Sequence, residues 1–171
     1  MASTTTSTDV INQLAGIADD SPLGRLRASR DVAFKAAQGS FRALLEPEEL
    51  GGVSRLEREA VAYRVGLLER SAPVIALHRA QLEAAGATPE EIAAIESFPE
   101  GEGRSPHLTA ILTHTDLLTR EPKAASPEAL DALREAGLST RDIVTVSQLI
   151  AFVSFQVRLL ATLRILKEEQ A

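Results

Sequence analysis

Glu59 and His78 are the two residues of this sequence best suited to acid–base chemistry. A carboxylate and an imidazole that share a buried site exchange protons, and each shifts the pKa of the other. On one straight helix the two residues would lie roughly 30 Å apart, too far to act together. They can meet only if the chain turns back on itself between them.

The sequence predicts such a turn around residues 69–71. Ser71 is a typical helix N-cap, and Pro73 would sit in the first turn of a new helix, where its missing N–H costs nothing. Residues 54–85 would then form a helical hairpin, with Glu59 about 15 Å and His78 about 10 Å from the turn. Helical phase directs both side chains to the interior, where we expect them to face one small, mostly apolar cavity at the hairpin. The alternatives are a hydrogen-bonded core histidine and a solvated or salt-bridged glutamate, neither with a catalytic role.

Other kinds of chemistry find less support in the sequence. The chain has no cysteine, which excludes disulfides, zinc–thiolate sites and sulfur nucleophiles. His107 and His114 are seven residues apart, which is not a chelating spacing, and we expect no metal and no cofactor. Ser71 as a nucleophile would need a base within reach, and its predicted capping role explains it without chemistry. Arg158 needs a counter-charge, which an interhelical ion pair satisfies more simply than an anionic ligand.

The elements that would position this pair are all helical. Four Ser/Thr-Pro pairs each place a capping hydroxyl before a proline at the first helical position. Ser54 and Thr88 stand three residues before a glutamate, as in capping boxes. No segment alternates in the manner of a strand. We therefore predict an all-α fold with helices near 9–18, 22–29, 31–45, 54–69, 72–85, 89–97, 106–119, 127–136 and 140–167.

The chain length fits one domain. We expect residues 1–8 to be a disordered N-terminal tail and residues 9–171 to form a single helical domain. Residues 99–104 are the clearest loop and could link two domains. Neither flank has enough apolar residues to fold alone, so we expect the loop to join two halves of one bundle.

The last predicted helix has apolar residues on every face between positions 143 and 163. Such a helix must be buried all round, which a small bundle rarely achieves, so we expect a second subunit to cover part of it. The alternative is a central helix wrapped by its own chain. Its uncharged run, residues 143–157, is interrupted by polar side chains and too short to cross a bilayer.

Composition limits the partners of the protein. Hydrophobic residues make up 44% and charged residues 25%, as in ordinary globular proteins. The net charge of −6 argues against a nucleic acid and against an anionic membrane surface. Residues 1–8 lack the basic and apolar regions of a signal peptide, so we expect a cytoplasmic location.

Residues 54–85 resemble the core of the carboxymuconolactone decarboxylase and alkylhydroperoxidase D superfamily. The pattern of that superfamily is a glutamate, then Cys-x-x-Cys at the start of the next helix, then a histidine four residues after the second cysteine. Glu59 and His78 stand at the glutamate and histidine positions. Ser71 and Val74 stand where the two cysteines would be. Residues 111–122 and 136–158 resemble the closing helices of the peroxidase-related branch, so that the resemblance covers most of residues 20–166.

The resemblance implies an alkylhydroperoxidase D-like helical bundle with a helical hairpin core, assembled as a dimer, trimer or hexamer. In the hydroperoxidase members the two cysteines reduce peroxide while the glutamate and histidine relay protons. A serine hydroxyl cannot be oxidised in that way, so thiol peroxidase activity is not expected here. The decarboxylase members work by acid–base chemistry without redox cysteines or a metal, and Glu59 and His78 would suffice for that type of step.

Three functions follow from these residues and this resemblance. The first is a cofactor-free enzyme that uses Glu59 and His78 on a small organic acid or lactone. The second is a non-catalytic hydroperoxidase-like protein that assembles with a cysteine-bearing paralogue in oxidative-stress defence. The third is an oligomer that binds a small-molecule ligand.

Overall fold

A computed structural model of the chain describes residues 9–100 and 103–169. Within these ranges the fold is all-α, with nine α-helices, one short 3-10 helix and no strand. The predicted tail, residues 1–8, lies outside the described residues. The helices are α1 (Val10–Ala15), α2 (Pro22–Ala28), α3 (Asp31–Leu45), α4 (Arg55–Leu68), α5 (Ala72–Ala84), α6 (Pro89–Glu96), α7 (Pro106–Arg120), α8 (Pro127–Glu135) and α9 (Thr140–Glu168), with the 3-10 helix at Pro122–Ala124.

The predicted hydroxyl caps begin five of these helices. A serine or threonine side chain accepts a hydrogen bond from a first-turn N–H of α2, α4, α6, α7 and α8, and α4 and α6 have complete capping boxes. These bonds satisfy N–H groups that the helix itself leaves without a partner. Helix α9 has a third capping box, in which Ser139 pairs with Asp142. Helix α1 is shorter than predicted, because Gly16 ends it in the left-handed conformation with a φ of 60°.

The central helix is α4. Every residue from position 58 to position 66 is buried, and α4 packs against α5, α7 and α9. Helix α9 buries one side against α4 and α7, whereas Val144, Phe155 and Ile165 remain about half exposed. The chain thus covers only part of the last helix, and the cover by a second subunit stays a prediction. Because α7 and α9 follow the loop at 99–104 and pack on α4, helices from both sides of that loop share one interior.

Helix α9 is the one described helix that is long and apolar enough to cross a membrane, judged by length and composition alone. Of its most apolar stretch, 44% is buried inside the chain. The core helix of a water-soluble bundle has the same length and composition, so this test is weak evidence for a membrane span.

A buried glutamine interrupts the apolar side of α9. The Gln156 side chain is fully buried, and neither its amide oxygen nor its amide nitrogen has a hydrogen-bond partner among the described residues. Burying an amide without partners costs free energy that an apolar side chain of similar shape would not. We expect Gln156→Met to raise the free energy of unfolding by about 1–3 kcal/mol, measured by urea denaturation.

Gln81, whose amide oxygen contacts Arg55 at the surface of the chain, supplies the matched control. Gln81→Met should change the stability by less than about 0.5 kcal/mol. A loss of stability in Gln156→Met would contradict the prediction and show that the amide is hydrogen-bonded in solution.

Candidate acid–base site

The hairpin predicted for residues 54–85 is present, and its turn is tight. Helix α4 ends at Leu68 and α5 begins at Ala72. Arg70 has a φ of 56°, in the left-handed region, and the Ser71 N–H donates to Gly66 O at 3.0 Å. Glycine at position 66 lets the helices approach, since a Cβ there would lie 3.0 Å from Val74 Cγ1. These features bring the first turn of α5 against the last turns of α4.

Ser71 is the N-cap residue of α5, but the prediction that its side chain caps the helix is wrong. Its hydroxyl makes no capping hydrogen bond. Pro73 occupies the second helical position and has no N–H to offer. The ψ angle of Ser71 is 97°, compared with 164° at the capping Ser54, so the Ser71 backbone departs from the geometry of the capping serine. The hydroxyl of Ser71 therefore stays available for other contacts.

Glu59 and His78 are in direct contact across the hairpin. The Glu59 carboxylate oxygen Oε2 lies 2.7 Å from Nδ1 of His78. Glu59 is 2% exposed and His78 is fully buried. The proximity expected from the hairpin is thus present, and the two groups form a closed hydrogen-bonded pair between α4 and α5.

The pair leaves one ring nitrogen without a partner. An ionised carboxylate only accepts hydrogen bonds, so Nδ1 of His78 donates to Glu59, and Nε2 carries the lone pair in the neutral ring. Nε2 is buried, and it has no hydrogen-bond partner among residues 9–100 and 103–169. Leaving such an atom unpaired costs about 1–3 kcal/mol. Buried polar atoms without a hydrogen-bond partner are rare in folded proteins, and a catalytic role is one explanation for such an atom.

The small shared cavity expected beside the pair is not one of four grooves found in the described part of the chain. Those grooves lie between α3 and α9, at the α4–α5 turn, beside the 3-10 helix, and near the start of α4. Neither Glu59 nor His78 lines any of them. Ser71 lines the groove at the turn, Val74 is buried one helical turn deeper, and His78 follows after another turn. These three residues share one face of α5 over roughly 10 Å, so this face connects the groove to the pair.

A second polar cluster lies one helical turn from Glu59 and was missed by the sequence analysis. The Tyr63 hydroxyl donates to Glu96 Oε1 at 2.5 Å, and Arg79, next to His78 in the sequence, contacts the same carboxylate at 2.6 Å. Burial, together with the hydrogen bond to Glu96, raises the pKa of Tyr63. Tyr63 is the only tyrosine of the chain, and its position four residues after Glu59 is the signal that could have identified it.

His107 and His114 face different surroundings and do not converge. Nδ1 of His107 lies 2.9 Å from Ala136 O, whereas Nε2 of His114 lies 2.9 Å from Ser147 Oγ. In the described part of the chain, no three histidine, aspartate or glutamate side chains come together as a metal site would require.

Arg158 is paired with Glu69 at 3.6 Å, which is the ion pair expected from the sequence.

Burial lowers the pKa of His114 from its ordinary value of 6.5. The folded state therefore favours the neutral ring, and the unfolded chain takes up a proton first as the pH falls below about 6.5. This stabilisation is fully present above pH 6.5 and is lost as the pH falls through the lower, folded-state pKa. We expect His114→Gln to lose less stability than the parent protein between pH 7.5 and pH 5, measured by urea denaturation at both values.

Thr113→Gln is the control for that comparison, because Thr113 is exposed on the same helix and carries no titratable group, so the pH dependence should equal that of the parent protein. Equal pH dependence in His114→Gln and in the parent protein would contradict the assignment.

Comparisons with known proteins concern the family pattern of the sequence and the fold of the chain. The sequence model of the carboxymuconolactone decarboxylase family matches residues 34–113, which include the whole hairpin. No curated protein sequence matches the chain.

Three solved structures share the fold. An uncharacterized peroxidase-related protein from Silicibacter sp. TM1040 has a TM-score of 0.72 and 18% identity, covering 81% of this chain and 71% of its own. A protein of unknown function from Agrobacterium tumefaciens has a TM-score of 0.71 and 18% identity, covering 81% and 92%. The alkylhydroperoxidase AhpD core of an uncharacterized peroxidase-related protein from Ralstonia eutropha JMP134 has a TM-score of 0.71 and 19% identity, covering 89% and 87%.

At such identities the structures establish the fold and leave the activity open. The catalytic role of Glu59 and His78 stays a prediction. Residues 34–113 carry the pattern of the carboxymuconolactone decarboxylase family, and the chain has the all-helical alkylhydroperoxidase D-like fold of peroxidase-related proteins without any cysteine.

Proposed function

We propose that the protein is a cofactor-free acid–base enzyme that acts on a small organic acid or lactone, with Glu59 and His78 as its proton-transferring pair. The observation that supports this proposal is the 2.7 Å contact between Glu59 and Nδ1 of His78, which leaves Nε2 buried and without a partner in the described chain. Carboxylate–imidazole pairs of this geometry let one ring nitrogen accept a proton while the carboxylate stabilises the resulting charge.

In the proposed step, His78 takes one proton from the substrate and later returns it. Nε2 of neutral His78 takes a proton from the substrate, which keeps the electron pair of the broken bond as an enolate-like or alkoxide-like anion. Glu59 remains ionised and stabilises the imidazolium through Nδ1–H. The same Nε2–H then returns the proton to a different atom of the substrate or to the leaving group. The step needs no metal, oxidant or thiol.

Substrate must reach a buried atom, and Val74 is the residue between Ser71 and His78 on the same face of α5. Ser71 lines the groove at the turn, Val74 is fully buried, and His78 lies beyond it on the same face of α5. Access to Nε2 therefore requires a local movement of the first turns of α5. Such an opening is a conformational step of the kind that often precedes chemistry in enzymes.

The proposal is tested by assaying small lactones and keto acids for isomerisation and, for the lactones, for ring opening by elimination. Removal of either proton-transferring group typically lowers turnover 10²–10⁴-fold, and we expect this of Glu59→Gln and His78→Ala. Ser29→Ala, at an exposed position outside the hairpin and outside the groove at the turn, should keep its activity. Circular dichroism checks that each variant is folded. Turnover that is unchanged in His78→Ala would contradict the proposal.

A second function is favoured by the burial of the pair. With Glu59 and His78 closed to solvent, they can also serve as a core contact in a non-catalytic protein that assembles with a cysteine-bearing relative or binds a ligand. Purified protein that turns over no substrate, but changes the peroxidase activity of such a relative when mixed with it, would favour this function over catalysis. Neither function predicts thiol-dependent peroxide reduction by the chain alone, because the reaction requires a thiolate.

We also propose that the protein is a homo-oligomer that acts in the cytoplasm. Exposed side chains of α9 form one stripe, at the spacing of a helix–helix contact: Val144, Gln148, Ala151 and Phe155. This stripe continues into an apolar groove of about 670 Å³ between α3 and α9, which is lined mainly by alanine and phenylalanine. Exposed apolar surface of this kind is typical of a protein–protein interface.

Phe155→Glu should therefore dissociate the oligomer. Phe155 is 46% exposed within one chain, so a carboxylate there stays hydrated in the monomer but would be desolvated in the interface. We expect the mass measured by light scattering at micromolar concentration to fall to that of one chain. Leu26→Glu, on the exposed face of α2, is the control and should leave the mass unchanged. A parent protein that is already monomeric would contradict the proposal.

A further inference from the structure

The groove at the α4–α5 turn, which we name the turn groove, differs in character from the rest of the surface. It has a volume of about 520 Å³ and lies between the end of α1, residues 69–73, and the C-terminal half of α9. One wall is aliphatic and consists of Leu14, Val157, Leu160 and Ala161. Its charged lining residues are Arg70, Arg164 and Glu69. The groove therefore joins an apolar surface to charged groups, within the size range of pockets for small ligands.

The charges of the turn groove do not cancel. Glu69 accepts a hydrogen bond from Ser154 Oγ at 2.6 Å and lies 3.6 Å from Arg158, so its negative charge is already matched by neighbours. Arg70 is exposed, and its side chain has no ion pair or hydrogen bond with any described residue. The only described ion pair of Arg164 is with Glu168 on the next turn of α9, at 3.8 Å between exposed side chains. Such a contact holds an arginine weakly.

A local excess of positive charge is notable in a chain with a net charge of −6. Arginine forms paired hydrogen bonds with carboxylates, and these are among the strongest that proteins make. The aliphatic wall beside the arginines would stay exposed to water if the ligand were an inorganic anion without a hydrocarbon part. A carboxylate attached to a hydrocarbon body fills both parts of the groove.

We propose that the turn groove binds a small organic carboxylate, with Arg70 and Arg164 holding the carboxylate group. Leu14, Val157 and Leu160 contact its hydrocarbon body. The Ser71 hydroxyl, which lines the groove and makes no capping bond, is placed to donate one further hydrogen bond. This inference deepens the proposed function, on which it rests for its link to catalysis, because it assigns the substrate class to an acid and puts its charged end at the entrance of the face that leads to His78.

The test measures binding to the full chain by isothermal titration calorimetry, with 3-phenylpropionate as the probe. Two further compounds separate the contribution of the charge from that of the hydrocarbon body. 3-Phenylpropan-1-ol has the same body without the charge, and inorganic phosphate has a charge without the body. We expect 3-phenylpropionate to bind at least about 10-fold more tightly than either, because a charge-assisted contact and apolar burial act together only in the acid.

Arg70→Gln and Arg164→Gln should each weaken the binding of 3-phenylpropionate about 10-fold or more. Arg134→Gln, an exposed arginine on α8, is the matched control and should bind as the parent protein does. Equal binding of the alcohol and the acid, equal binding of phosphate and the acid, or unchanged binding in Arg70→Gln and Arg164→Gln would each overturn the proposal.

His78→Ala distinguishes this proposal from the proposed function. The substitution should leave the affinity for 3-phenylpropionate unchanged, since His78 does not line the groove. Binding that depends on Arg70, in a protein without any catalytic turnover, would contradict the proposed acid–base function and support the proposed carboxylate site. Turnover that is lost in His78→Ala but unaffected in Arg70→Gln and Arg164→Gln would contradict the proposed carboxylate site and support the proposed function.

Discussion

Glu59→Ala is expected to lower the free energy of unfolding by about 3–5 kcal/mol. The substitution removes the only described hydrogen-bond partner of His78, whose ring is fully buried. Both ring nitrogens would then be desolvated without a partner, which is costly in a low-dielectric interior. Urea denaturation monitored by circular dichroism measures the effect.

Two further variants separate the hydrogen bond from the burial. Glu59→Gln keeps an oxygen that accepts from Nδ1 and should cost less than Glu59→Ala, while it still abolishes the proposed proton transfer. Replacing both residues by leucine should cost less than Glu59→Leu alone, because a buried polar pair is often replaceable by apolar side chains when both members go together. A cost below about 1 kcal/mol for Glu59→Ala would mean that His78 finds water or another partner, and that the pair is not closed in solution.

Arg64→Leu is expected to lower the free energy of unfolding by a similar amount, about 3–5 kcal/mol. The buried guanidinium donates two hydrogen bonds of 2.7 Å to Asp116 on α7 and one of 2.8 Å to Phe98 O. It also lies 5.4 Å from the centre of the Phe98 ring. Leucine would leave the Asp116 carboxylate with only a 3.5 Å contact to Arg120 and the Phe98 carbonyl without a partner, and would free the segment after α6 from α4.

The control for Arg64 is Arg134, which pairs with Asp131 at 2.6 Å on the surface of α8. Arg134→Leu should change the stability little, because exposed ion pairs are hydrated and contribute little. Arg64→Lys should recover only part of the loss, since an ammonium cannot make the paired contact with Asp116. A small effect of Arg64→Leu would show that the contact between α4 and α7 depends on apolar packing alone.

The two predictions concern opposite sides of α4. Glu59 joins α4 to α5, and Arg64 joins it to α7 and to the segment after α6. Only the first lies in the proposed site, so Arg64→Leu should reduce stability without a specific loss of turnover under conditions where the variant is folded. Glu59→Gln should abolish turnover at a smaller cost in stability than Arg64→Leu. This contrast tests whether the polar interior of the bundle divides into a catalytic part and a structural part.

Local sequence was sufficient to predict most of the helices and the hairpin that carries the candidate site. Capping hydroxyls, prolines in the first turn and glycines after the last turn act within a few residues of the chain, so their effect can be read without knowing the fold. The contact between Glu59 and His78 follows for the same reason. Once the chain turns at residues 69–71, two adjacent antiparallel helices leave these side chains few other places to lie.

Contacts between distant segments were decided only by the tertiary structure. Arg64 gave no sign in the sequence that it would pair with Asp116, 52 residues later, because any exposed or buried acid could have served. The apolar circumference of α9 predicted a helix covered on every face with the help of a second subunit. Within one chain, α4 is the helix with the most continuous burial, and Gly66 lets α5 approach it closely. Helical periodicity reports which residues share a face, whereas the neighbour of that face depends on how all the helices pack together.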